Sequence, residues 1–83
     1  MRYLVIFEGD NIRDEDFERV NAKDEIEVEN FLTDLVGRFS GLYQRYKLYH
    51  IWETDENYKP INRVPVVSGG IDGLLAVYNN RGL

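Results

Sequence analysis

One stretch, Ala22 to Phe39 (AKDEIEVENFLTDLVGRF), constrains the fold more than any other. Its apolar residues fall at Val28, Leu32, Leu35 and Phe39, with Phe31 and Val36 beside them. That i, i+4, i+7, i+11 spacing paints one apolar stripe on a helix, and such a stripe must be covered by a second layer. Asp24 suits the N-cap, because its carboxylate can accept from the free amides of the first turn. Glu27, three residues on, completes a D-x-x-E capping box. Arg38 near the far end complements the helix dipole, and Gly41 is placed to end the helix in a left-handed turn.

The covering layer is read as a sheet. Met1 to Glu8 is rich in strong β formers, with Tyr3, Val5 and Phe7 on one face and Leu4 and Ile6 on the other, as in a central strand. Gly9-Asp10-Asn11 is turn chemistry, and Phe17 to Ala22 is expected to return antiparallel to the first strand. Leu42 to Glu53 (LYQRYKLYHIWE) predicts a long strand. Strict alternation would turn Leu42, Tyr46, Leu48 and Trp52 toward the helix, together with Gln44 and His50. Tyr43, Arg45, Lys47, Tyr49 and Ile51 would then lie on the opposite face. Ile61 to Val67 suggests a short edge strand, since Pro65 cannot donate to a ladder. The residues from Ser68 to Gly73 suggest a turn, and Leu74 to Tyr78 a returning strand, with Asp72 a candidate N-cap if that segment is helical. The fold class expected is α+β: a small single domain over residues 1–83, β-β-α-β with a weaker C-terminal hairpin, one helix packed on an antiparallel or mixed sheet.

Composition narrows the setting. An 83-residue chain with no cysteine has neither disulfides nor thiolate zinc ligands to staple a small core, which favours the cytoplasm over secretion. The longest apolar run, Tyr3 to Phe7, is too short to span a bilayer. The strand-like start at Met1 suggests a complete small protein. Charge is unevenly spread: from Glu8 to Asp34 eleven carboxylates face three cations, −8 locally, whereas the remainder carries +3 and the total is −5. That polarity argues against a membrane surface or a duplex phosphate backbone as the main partner.

No spacing carries a recognisable chemistry. His50 is the only histidine, and nothing in the sequence brings Ser40 or Ser68 to it together with an orienting group, so an enzyme is not expected and no catalytic residue is assigned. Asp10, Asp14, Asp16 and Glu18 imitate the first ligands of a calcium loop, but Arg19 stands where the loop must turn sharply, so no metal site is assigned. The glycines between Ser68 and Gly73 lack the lysine of a phosphate-binding loop and the setting of a dinucleotide fingerprint, and no cofactor is expected.

Binding is therefore the leading expectation, through an acidic surface built from Asp14, Glu15, Asp16, Glu18, Glu25, Glu27, Glu29 and Asp34. Carboxylates one helical turn apart lie about 6 Å from each other, close to the spacing of backbone phosphates. Such a surface suits a basic partner protein, including one that handles nucleic acid and is inhibited by a mimic of it. Small, acidic, cysteine-free α+β chains of this type occur among phage-encoded inhibitors, a likeness of type without a shared motif. A second expectation uses Tyr43, Arg45, Lys47 and Tyr49 as a stacking face for single-stranded nucleic acid, although a net charge of −5 disfavours direct contact with nucleic acid. A third is self-association, as a homodimer that completes a small core.

Overall fold

The computed structural model describes residues 1–10 and 16–81. Its elements are β1 (Arg2–Glu8), β2 (Phe17–Asn21), α1 (Glu25–Arg38), α2 (Ser40–Tyr43), β3 (Leu48–Glu53), β4 (Val67–Gly70) and α3 (Ile71–Asn80). The four strands form one antiparallel sheet in the order β2-β1-β3-β4. The fold is α+β, as the patterning predicts, with β1 at the centre and β2 returning beside it.

Packing puts both longer helices on one side of that sheet. Tyr3, Val5 and Phe7 of β1 join Val20 of β2, Tyr49 and Ile51 of β3, Val28, Leu32 and Val36 of α1, and Ile71 and Leu74 of α3 in one buried cluster. Rings of Phe7, Tyr43 and Tyr46 close one end, with centroids 5.1 to 6.1 Å apart. Asp24 caps α1, its Oδ1 accepting from the Glu27 amide at 2.9 Å. Glu27 reaches back to the Lys23 amide rather than to that of Asp24. The capping box is thus displaced by one residue.

Four expectations need correction. The buried stripe of α1 runs through Val28, Leu32 and Val36, leaving Phe31 and Phe39 exposed on its flank. Gly41 supplies no left-handed stop, because the chain passes Phe39 and re-forms one turn of helix, α2, that contains Gly41. Consequently β3 starts at Leu48, not Leu42, and its parity is the reverse of that expected. Tyr49 and Ile51 pair with Phe7 and Val5 on the buried side, while Leu48, His50 and Trp52 take the other face. Both faces of β3 are apolar, so its own pattern leaves the parity open; the match to β1 decides it.

The fourth correction concerns the C-terminus, where a strand and a helix replace the hairpin. Ser68, Gly69 and Gly70 belong to β4, and Ile71, Leu74, Leu75 and Tyr78 form the i, i+3, i+4, i+7 stripe of α3. Gly69, and Gly37 in α1, make room for tyrosine rings. A Cβ on Gly69 would lie 2.7 Å from the Tyr49 hydroxyl, and one on Gly37 would lie 2.1 Å from the ring of Tyr78. Tyr78 thereby seats α3 against α1. No helix among the described residues is long and apolar enough to cross a membrane.

Candidate functional site

With both helices on one side, the other face of the sheet is uncovered, and the register fixes what it displays. Phe17, Ile6, His50 and Ser68 form one row across all four strands, and Arg19, Leu4 and Trp52 a second row beside it. Phe17 is 49% exposed although large and apolar. Leu4, Ile6, Phe17, Arg19, Asn57 and Tyr58 line a shallow groove of about 200 Å³ on this face. An exposed apolar patch rimmed by polar groups is the usual mark of an interaction surface.

The rim of the groove is ordered by a turn with one unusual backbone. Asp55 Oδ1 accepts from the amides of Asn57 and Lys59 at 2.8 and 3.1 Å, and these bonds hold its carboxyl below the ordinary carboxylate range. Inside that turn Tyr58 has φ 61°, a left-handed conformation that costs a non-glycine residue roughly 1 kcal/mol or more. The strained residue carries its ring to the groove. The Arg2 and Arg19 guanidinium carbons lie 5.7 and 6.0 Å from the Tyr58 centroid, and Arg19 also lies 5.1 Å from that of Phe17. Two cations are thus stacked among aromatic rings on a face bare of helices, although the chain as a whole is acidic.

The acidic residues expected at the site are largely engaged within the molecule. Asp16 accepts from Arg45 Nη2 at 2.6 Å, and Asp34 pairs with Arg81. Glu25, Glu18 and Glu29 stand beside the hydroxyls of Tyr3, Tyr43 and Tyr49 at 3.5, 3.5 and 3.3 Å. Burial, reinforced by these same carboxylates, raises all three phenols above their ordinary value. Glu27 is occupied in capping. Asp14 and Glu15 lie outside the described residues. Among the described residues, Glu25, Glu27 and Glu29 stay together on the first turns of α1, whereas Asp16 and Asp34 are paired with arginines elsewhere.

The second expected face does not assemble either. Tyr43 lies in α2, Arg45 in the following turn, Lys47 just before β3, and Tyr49 is buried in the core. Lys47 pairs with Asp10, which holds its ammonium protonated above the usual range. Among the described residues no group of three His, Cys, Asp or Glu side chains is placed to hold a metal ion.

One constellation that spacing did not reveal is present at the far end of the open face. His50 Nδ1 lies 2.7 Å from Ser68 Oγ, and its Nε2 lies 2.8 Å from Glu8 Oε2. Ser68 and Glu8 are 18 and 42 positions from His50 in the chain, and only strand pairing joins them. The groove residues were equally hidden. Their one sequence signal is the out-facing alternation of Phe17 and Arg19 opposite Ile6 and Leu4. Comparison with protein-family models, with curated proteins and with solved structures finds no match to this chain.

Proposed function

We propose that this chain is a binding module that takes a partner protein on the open face of its sheet. The supporting observation is the groove between Leu4, Ile6, Phe17 and Tyr58, edged by the Arg2 and Arg19 guanidinium groups, on a face that neither helix covers. Aromatic anchors with arginine at their border are the residue types that dominate binding energy at protein interfaces. The groove suits an apolar or aromatic side chain of the partner, and Arg19 a carboxylate next to it. Phe17 and Arg19 are exposed on β2, so changing them leaves the core intact.

A second reading is favoured by a separate observation. Glu25, Glu27 and Glu29 carry no ion pair among the described residues, so the start of α1 offers three un-neutralised carboxylates to a basic partner, in the manner of an inhibitor or nucleic-acid mimic. Their position also satisfies the helix dipole. The lack of cysteine suits action in the cytoplasm.

Affinity capture from the source cell, quantified for three forms of the protein, separates the readings. A partner kept by wild type and by Glu25→Gln/Glu27→Gln/Glu29→Gln, but lost by Phe17→Ser/Arg19→Glu, supports the open face. The glutamines preserve the acceptors facing Tyr3 and Tyr49 while removing charge. A partner lost with the glutamines and in high salt instead moves the site to α1. Tight binding of a single-stranded oligonucleotide by the purified protein, abolished by Arg19→Glu, would overturn the protein-partner assignment.

A further inference from the structure

We propose that Ser68, His50 and Glu8 form a nucleophilic site that accepts the acyl group of an ester. The hydrogen bonds assign the roles. An ionised carboxylate can only accept, so Glu8 Oε2 at 2.8 Å fixes the proton of neutral His50 on Nε2. The lone pair of Nδ1 then faces Ser68 Oγ at 2.7 Å, with the serine hydroxyl as donor. Base, nucleophile and orienting group therefore stand in the order that nucleophilic catalysis requires, with the two imidazole nitrogens exchanged relative to the usual serine triad.

The surroundings supply a place for substrate. Ser68 and His50 share their row of the sheet with Ile6 and Phe17, both of which line the groove. Two strand spacings separate Ser68 from Ile6, about 10 Å. An ester whose carbonyl sits at Ser68 can lay an apolar acyl chain along this row into the groove. Because the Ile71 amide donates to the Lys47 carbonyl, alternation turns the amide of Ser68 away from β3, to the outer edge of β4, where it is a donor beside Oγ for the developing oxyanion.

The step balances without a co-reactant other than water. Ser68 Oγ bonds to the carbonyl carbon while its proton passes to His50 Nδ1. The carbon–oxygen bond to the leaving group breaks, and that oxygen takes the proton from Nδ1. Water, deprotonated by the same nitrogen, then releases the carboxylic acid and restores Ser68. Glu8 keeps its hydrogen bond to Nε2 throughout and steadies the imidazolium.

Ser40, exposed and without such a partner among the described residues, is an internal control. Wild-type protein is treated with a fluorophosphonate, and adducts at Ser68 and Ser40 are followed by peptide mass spectrometry. Turnover of p-nitrophenyl esters of rising acyl length is measured in parallel. General-base assistance predicts labelling of Ser68 roughly 100-fold or more faster than Ser40, with a rate that rises with pH. His50→Gln should bring Ser68 down to the rate of Ser40 and abolish that pH profile. Glu8→Gln, at an exposed position, should lower the rate with circular dichroism unchanged. Longer acyl chains should react faster, and Phe17→Ser should cancel that preference. Equal labelling of the two serines, or a Ser68 rate indifferent to Glu8→Gln, would overturn the proposal and leave a cross-strand hydrogen bond of structural value only.

Discussion

Gly37→Ala is a change that helix propensity alone favours, by about 1 kcal/mol in a helix interior. The packing of α1 on α3 reverses the sign. A Cβ at Gly37 would lie 2.1 Å from Tyr78 Cγ and 2.3 and 2.4 Å from its Cδ1 and Cδ2, where non-bonded carbons sit about 3.5–4.0 Å apart. These atoms are the root of the ring, close to the α3 backbone, and cannot swing aside as the tip of a long side chain would. Either the helices part or the ring leaves its seat. Expelling it re-exposes on the order of 100 Å² of apolar surface, about 2.5 kcal/mol at ~25 cal/mol per Å². Less the propensity gain, the net loss is about 1.5 kcal/mol, a fall in Tm of roughly 6–12 °C for a domain of this size. The assay is a double-mutant cycle by urea and thermal unfolding. In a Tyr78→Ala background the same Gly37→Ala change should stabilise, by up to about 1 kcal/mol. A gain in the wild-type background, or an equal loss in both, would refute the seating of Tyr78 on Gly37.

Two further outcomes follow from the same frame. Asp24→Ala should cost about 1 kcal/mol through loss of the α1 N-cap, and Asp24→Ser should recover most of it, read from urea midpoints. Stability should fall at alkaline pH, because burial and their facing glutamates raise the Tyr3, Tyr43 and Tyr49 phenols in the folded chain. Above about pH 10 the unfolded chain loses these protons while the folded chain keeps them, so their contribution is complete below that pH and is lost as pH climbs through the raised folded values. Urea midpoints at pH 8, 10 and 11 check this. The decline should be shallower in Tyr49→Phe, and a flat profile in wild type would contradict it.

Sequence patterning was most informative where one residue pattern had one physical solution. The Asp24 cap and the 3.6-residue spacing of α1 admit nothing but a helix, and the two-sided apolar run of β1 belongs at the centre of a sheet. The C-terminus is harder to read, because Ile71 sits among glycines that suggest a turn. Counted with Leu74, Leu75 and Tyr78, it completes a helical stripe. Gly69 looks like part of a turn in one dimension, and Gly37 like a weak point in a helix; only the Tyr49 ring above the first and the Tyr78 ring above the second show that they make room for side chains. No local pattern encodes either contact.

The site was less legible than the fold, and the parity of β3 is the reason. A shift of one residue in a strand exchanges its two faces. Strict alternation from Leu42 faces Leu48, His50 and Trp52 to the core, which makes Tyr43, Arg45, Lys47 and Tyr49 the surface and His50 a packed residue without a task. The reversed parity buries Tyr49 against Glu29 and leaves His50 beside Ser68 and near Glu8. The placement of the tyrosines also accounts for part of the carboxylates. Tyrosines brought into a small core need acceptors for their hydroxyls, and Glu25, Glu18 and Glu29 provide them at its border. Part of the acidity that suggested a partner is therefore a requirement of the tyrosine-rich core. The surface without such an internal explanation is the one opposite the helices, where a strained Tyr58 and two stacked arginines edge a groove that the fold itself does not fill.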